Sequence, residues 1–370
     1  MVYLDNSATT RPAAEVTEAL YEYMKEEYGN PSSLHKAGRE AAKAVREARG
    51  KIALSMKAHE DEIYFTSGGT EADNIAILGA ANIKKGSRIV TSAIEHPAVL
   101  NAVDALSEKG FEVIKIMPEK DGSIDPNKVI DAVNDKTSLV SIMHVNNETG
   151  AVINIAEISK AVKRKAPRAL IHTDAVQSYG HIEAFPHEMG VDLMSVSAHK
   201  IHGPKGIGAL FVKKGVNDLK SPVYGGGQEK GIRSGTENTY AIVGFGKAAE
   251  LIDLKEAKRV LNLKNKLKDA LLETGKAEIN GGEKSSPYIL NMSFMSLRSE
   301  VMLNALDREG IMVSSASACA RGRAKSHVLL AMGARYADNA IRFSFSRYTT
   351  EEEIDYTIEK TKDILRIFGR

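Results

Sequence analysis

Between Ile63 and Val212 short apolar runs alternate with stretches of helical period, which restricts the chain to a narrow set of folds. Ile63-Tyr64-Phe65 ends at Ser67-Gly68-Gly69, and a helical stretch from Thr70 follows with Ile75, Leu78 and Ile83. Arg88-Ile89-Val90-Thr91 precedes a helix opened by Pro97, with Val99, Leu100, Val103 and Leu106 as its apolar stripe. Proline suits that first position because its missing N–H would be unpaired there anyway. Strands over Phe111 to Ile116 and Leu139 to Val145 come next, then a helix with Ile155, Ile158 and Val162 that Pro167 stops. Leu170-Ile171-His172, Leu193 to Ser197 and Ala209-Leu210-Phe211-Val212 are further strands. Strands spaced by helices make βαβ units and a largely parallel sheet, so the fold class is α/β. The short connections between the later strands predict an antiparallel member.

Helical periodicity also marks the start of the chain, at Val16, Leu20 and Met24 and from His35 to Met56. After Thr239 the pattern changes. A long helical region, lysine-rich from Lys255 to Lys268, leads to a strand at Tyr288-Ile289-Leu290-Asn291. A helix from Val301 to Leu306, a strand at Ile311-Met312-Val313 and a strand at Ile341-Arg342-Phe343-Ser344 follow. A last helix runs from Glu351, with Thr349 and Thr350 as cap candidates. At 370 residues the chain exceeds the usual single domain, and this second pattern predicts a smaller α+β domain at the C-terminal end.

Hydrophobic residues make up 43% of the chain and charged residues 26%, the balance of a globular enzyme. A net charge of +2 gives no electrostatic reason to expect nucleic acid or an anionic membrane as partner. The clusters Lys163-Arg164-Lys165 and Lys213-Lys214 read as solvated surface. No apolar stretch reaches membrane-spanning length, and Met1 to Asn6 has no export-signal pattern. With a single cysteine, the expectation is a protein of the reducing cytoplasm without an intrachain disulfide or a Cys-rich metal site.

That cysteine, Cys319, ends the small-residue run Ser314-Ser315-Ala316-Ser317-Ala318 and is followed by Arg321, Arg323 and Lys325. Neighbouring cations favour the nucleophilic thiolate, whereas a buried free cysteine acts as a small hydrophobe. Four other passages carry chemistry. In Ser195-Val196-Ser197-Ala198-His199-Lys200 a lysine follows an apolar strand, where it either ends the strand at the surface or, desolvated, forms a Schiff base with a carbonyl. In His172-Thr173-Asp174-Ala175-Val176-Gln177 the aspartate either caps a turn or holds a pyridinium nitrogen protonated. Thr66-Ser67-Gly68-Gly69-Thr70-Glu71 is either a tight connection or a phosphate cradle at a helix start. His96, in Glu95-His96-Pro97, either caps the helix or stacks on a ring and moves protons near neutral pH.

In this order the passages resemble the cysteine desulfurases, pyridoxal 5'-phosphate enzymes of the class V aminotransferase group. The resemblance starts at Tyr3-Leu4-Asp5-Asn6-Ser7-Ala8-Thr9-Thr10 and includes Tyr28-Gly29-Asn30-Pro31-Ser32-Ser33 and His144-Val145-Asn146-Asn147-Glu148-Thr149-Gly150. It continues through Gly225-Gly226-Gly227-Gln228-Glu229, Arg233-Ser234-Gly235-Thr236 and the Cys319 run. It implies the fold-type I architecture, a large domain with a mostly parallel seven-stranded sheet between helices plus a smaller α+β domain. Residues 13–255 would form the large cofactor-binding domain, and 1–12 with 256–370 the small domain carrying Cys319.

By the same resemblance Lys200 would bind pyridoxal phosphate, Asp174 would face the pyridinium nitrogen, Gln177 the ring hydroxyl and His96 the ring face. Gly69, Thr70, Ser197, His199 and the neighbouring subunit's Thr236 would hold the phosphate. Asn147 and Arg347 would hold the substrate carboxylate, and Cys319 would take the sulfur of L-cysteine as a persulfide, leaving alanine. A homodimer and a sulfur-acceptor protein, either an iron–sulfur scaffold or a tRNA-thiolation enzyme, complete the expectation. Ala316 and His202 depart from the family's commoner glycine and tyrosine, the segment after Cys319 is slightly short, and no extended tail follows Gly369. Other readings are a selenocysteine lyase or another class V aminotransferase. From different classes come a metal hydrolase using His172, Asp174, His199 and His202, and a non-catalytic scaffold.

Overall fold

The computed structural model describes residues 1–81, 87–216, 219–315 and 325–369. Cys319 lies outside the described residues, as do Ile83, Ala316, Ser317, Ala318, Arg321 and Arg323. Among the described residues, seven strands form a central sheet. Their spatial order is Ile63–Thr66, Gly208–Val212, Leu193–Ser197, Leu170–Asp174, Thr137–Ser141, Arg88–Ser92 and Glu112–Ile116. Gly208–Val212 runs antiparallel to both of its neighbours and every other pairing is parallel, so the remaining strands share one direction. The reason is covalent: the link from Ser197 to Gly208 is too short for a parallel crossover, which needs a dozen or more residues.

The inner strands are buried because both faces are covered. Leu193, Leu210 and Ile89 join one core with Ile75, Val99 and Val103, from the helices Gly69–Ala81 and Pro97–Glu108. Their sequence neighbours Met194, Phe211 and Val90 join the other core with Val45, Ile158, Ile242 and Phe245. Successive side chains thus serve opposite cores, as the pleat requires. On the second face the helices Lys36–Ser55 and Thr239–Glu250 meet so closely that a Cβ on Gly246 would lie 2.8 Å from the Ala48 Cα.

A separate core gathers Val2 and Leu4 with Val260, Leu267, Met292, Phe294, Ile341, Phe343, Ile354 and Ile364. Its four-stranded sheet, in the order Ser314–Ser315, Ala340–Ser344, Ile289–Phe294 and Ala277–Ile279, is antiparallel throughout. Val2–Tyr3 pairs in parallel with Ile311–Met312. The helix Glu351–Phe368 begins with a reciprocal capping box between Thr350 and Glu353. No helix among the described residues is long and apolar enough to cross a membrane.

Three elements differ from the sequence expectation. The lysine-rich helical region is two helices, Thr239–Glu250 and Glu256–Leu272, parted where the Asp253 side chain accepts from the Lys255 N–H at 3.0 Å. The strand at 311–313 stops at Met312, and Ser314–Ser315 then pairs with a different partner, so Val313 is the point of exchange. The expected strand to Val145 ends at Ser141, and Val145 makes only an isolated bridge to Val152.

Candidate active site

The carboxyl ends of strands that share one direction in an α/β sheet open onto a common edge, where such sheets bind ligands. Here Gly68-Gly69 follows Thr66, Glu95-His96 follows Ser92, and His144 to Asn147 follow Ser141, while Asp174 ends its strand and His199-Lys200 follow Ser197. Gly69 is required by close approach: a Cβ there would lie 2.7 Å from Val176 Cγ2 and 3.8 Å from Ser197 Cβ. Thr70 follows it in the first turn of the helix. Ser197 Oγ is buried beside this turn and has no hydrogen-bond partner.

Lys200 is buried, and its Nζ donates to the carbonyls of Ser7 and, at 2.8 Å, Ala8. Gln177 Nε2 also donates to the Ser7 carbonyl, at 2.9 Å. The neighbouring Thr9 and Thr10 bind His199, through Nδ1 at 3.2 Å and the carbonyl oxygen at 3.0 Å. Main-chain oxygens of the N-terminal segment therefore hold both Lys200 and Gln177. Sequence reasoning missed this role, since backbone carbonyls have no side-chain signature; the early position of the Asp5 to Thr10 block was its only trace.

Asp174 is buried, and its Oδ1 accepts the Val176 N–H at 2.9 Å. Burial pushes its carboxyl upward, while His96, the Val176 amide and Lys200 pull the other way. His96 caps its helix, accepting at Nδ1 from the Ala98 N–H at 3.2 Å, which leaves the proton on Nε2. Burial lowers its pKa, and Lys200 and His327 add to that against the pull of Asp174. The capping reading and the proximity of His96 to Lys200 and Asp174 both hold. Burial likewise lowers His199, His202 and His144 to about 4 and His181 to about 3. Imidazoles around Lys200 are thus uncharged at neutral pH, which suits a site whose net charge is set by lysine, arginine and carboxylate.

Asn147 is presented by a turn that its neighbour shapes. Asn146 Oδ1 accepts the N–H groups of Glu148 and Thr149, both at 2.9 Å, and its Nδ2 donates to the Ile94 carbonyl. Arg342, absent from the sequence expectation, donates to the Asn147 carbonyl at 3.0 Å and to Asp5 Oδ1 at 2.9 Å. Arg347 donates through Nη1 to the Leu251 carbonyl and through Nη2 to the Tyr348 hydroxyl at 3.1 Å, and its buried Nε has no partner. Thr236 is exposed, on a loop that Arg233 ties to Glu71 at 3.3 Å. Beyond the Cys319 segment Lys325 pairs with Asp338 at 3.0 Å. Ser326 donates to Glu148 at 2.5 Å, and His327 donates to the Glu95 carbonyl at 3.1 Å.

The proposed metal set does not assemble. His172 is wholly buried, with Ser141 Oγ at 2.8 Å from Nδ1 and Ser195 Oγ at 3.0 Å from Nε2, so neither nitrogen is open to a ligand. His202 Nδ1 donates to the Arg11 carbonyl at 2.9 Å. No cluster of three or more His, Cys, Asp or Glu arranged for a metal occurs among the described residues.

Glu95 is wholly buried and accepts from Ser92 Oγ at 2.5 Å and the Met143 N–H at 2.9 Å, with Oε2 unpartnered. Burial pushes its carboxyl from 4.5 up to about 8. Between those values the folded chain keeps a proton that the unfolded chain has lost, so stability falls as pH rises through the window. Glu95→Gln removes this effect. Its melting temperature should match the native value near pH 4.5 and exceed it at pH 8, a gain on the order of a few kcal/mol. Thermal melts at the two pH values check the sign.

The family model Aminotransferase class-V matches residues 2–357. The cysteine desulfurase IscS of Dictyoglomus turgidum is 43% identical over 375 residues, covering 98% of this chain and 94% of that one. A solved NifS-like protein superposes with a TM-score of 0.93 at 40% identity, covering 99% of both chains. A structure of SspA in complex with cysteine gives a TM-score of 0.84 at 32% identity, over 95% of this chain and 100% of that one.

Proposed function

The chain belongs to the Aminotransferase class-V family and is a cysteine desulfurase dependent on pyridoxal 5'-phosphate, and from that premise we propose how its residues divide the work. The observation that carries the assignment is the convergence of a buried lysine, a buried aspartate and an uncharged histidine at one edge of the sheet. The cofactor fits there. Ser197 Oγ lacks a partner that a phosphate would supply, beside Gly69 and Thr70 at a helix start, and Lys200 offers an amine with Asp174 as counter-charge. When bound, pyridoxal phosphate supplies an electron sink for the charge that develops at the substrate Cα.

Asp174 would keep the ring nitrogen protonated, Gln177 would meet the ring hydroxyl and His96 would cover the ring face. His199 and the partner subunit's Thr236 would complete the phosphate contacts, the latter from an exposed loop. Asn147 and Arg347 bind the substrate carboxylate, for which the planar arginine fork is matched. Arg347 must leave the Leu251 carbonyl to do so. Lys200 Nζ would take the proton from the substrate Cα and move it onward, a general-base task within its reach as a buried amine. Cys319 Sγ attacks the substrate sulfur: the S–S bond forms, the C–S bond breaks, and protonation of the carbon leaves alanine. The division into 13–255 and 1–12 with 256–370 belongs to the same reading and is supported by the separate core that joins Val2 and Leu4 to residues from Val260 to Leu365, while Val328, Leu329, Met332 and Ala340 pack into the core of the large sheet. The persulfide sulfur then passes to a thiol on another protein, an iron–sulfur scaffold or a tRNA-thiolation enzyme.

The test is stoichiometric. Mixed with one equivalent of L-cysteine and no other thiol, the holoenzyme should give alanine close to one per chain, with the sulfur retained on the protein. Absence of alanine, or release of all the sulfur as free sulfide, would sink the reading.

A further inference from the structure

Asp73 lies in the helix Gly69–Ala81, one turn beyond the Gly-Gly cradle, and only 1% of its surface is exposed. It takes no part in the roles assigned above. The Ser195 hydroxyl acts on its carboxyl, and Oδ1 has no hydrogen-bond partner. His172 Nε2 stands 3.6 Å from Oδ1, but both ring nitrogens already have hydroxyl partners and burial lowers that imidazole to about 3, so the contact is not an ion pair. No lysine or arginine among the described residues pairs with Asp73. The titratable groups that act on it are Asp174, from the strand beneath, and Glu95, from the loop after Arg88–Ser92; each, when ionised, opposes a charge on Asp73.

Asp174 differs in each respect. It accepts a backbone N–H and lies near Lys200, both of which favour its ionised form. Two buried carboxyls that repel each other do not both ionise, and the better supported one keeps the charge.

We propose that Asp73 is a positioning residue that remains an uncharged carboxylic acid, leaving Asp174 as the single anion of the buried cluster. Asp73 thereby packs against His172, which Ser195 also holds, beside Asp174 without dividing the negative charge on which the cofactor-binding aspartate depends. Burial and the repulsion from Asp174 both push the Asp73 carboxyl well above its usual range, in accord with the geometry. The functional half of this statement rests on the role given to Asp174 above.

Two measurements test it. Infrared spectra of cofactor-free protein carrying labelled aspartate should contain a protonated-carboxyl band at neutral pH that Asp73→Asn removes, with Asp73→Ser as the blank should the first variant fail to fold. If no such band is lost, the proposal is overturned. In the holoenzyme, Asp73→Asn should move the pH midpoint of the cofactor's visible absorbance by less than about 0.3 unit, because no charge has been removed. A fall of about one unit or more would show a lost anion and overturn it. An unchanged midpoint in Asp174→Asn would instead refute the role of Asp174, with the infrared result standing apart from it.

Discussion

Cys319→Ala should bind pyridoxal phosphate, show its visible absorbance and respond spectrally to L-cysteine, yet form alanine at least about 10³-fold more slowly. The split between binding and turnover follows from the chemistry. Lys200, Asp174 and His96 lie on the sheet edge and do not include the thiol, so removing Sγ leaves the cofactor site whole. The step that needs Sγ is cleavage of the C–S bond, which requires a thiolate of good nucleophilicity held near the substrate sulfur. No second cysteine exists in the chain to take its place. A residual rate should rise with added small-molecule thiols, so the assay is run without them. Alanine release at the native rate would remove Cys319 from the mechanism.

Lys200→Ala should fail earlier. Borohydride treatment should fix the cofactor covalently to the native chain but not to this variant, and turnover should fall by at least about 10³-fold through loss of the general base. The same change has a structural cost that catalysis does not report. Lys200 Nζ serves the carbonyls of Ser7 and Ala8. Without it these oxygens lose a charged donor inside the protein, at a cost of about 1–3 kcal/mol. The cofactor-free variant should therefore melt below cofactor-free native protein. An equal melting temperature would mean that the N-terminal segment does not depend on the lysine.

Much of this architecture is legible in the sequence because the central strands are buried on both faces. Leu193–Ser197 and Gly208–Val212 read as unbroken small and apolar runs, and caps such as Pro97 and Thr350 mark helix starts by their own chemistry. The edge strand Ala277–Ile279 is too short to show any period, and it was not anticipated. The break after Glu250 was hidden because lysines and leucines continue the helical pattern across it. In the site, residues that the structure brings to one sheet edge, such as Lys200, Asp174 and His96, carry sequence signals of their own. Asp73 and Glu95 do not, because a lone carboxyl in a helix or a loop reads as solvated until its burial is seen. Arg342 was read only as part of a strand, and its bond to the Asn147 carbonyl joins residues 195 apart in sequence.

The N-terminal segment also orders events in time. Its residues bond to Gly310, Met312 and Ser344, the last pairing with Ser7 across 337 residues, while the same segment supplies the carbonyls that hold Lys200. A ribosome delivers the first ten residues minutes or seconds before their partners, and domains otherwise fold as they emerge. The lysine pocket thus closes only when the final strand has been made. A C-terminally truncated chain should therefore keep Lys200 but lose the partners that seat the segment holding it.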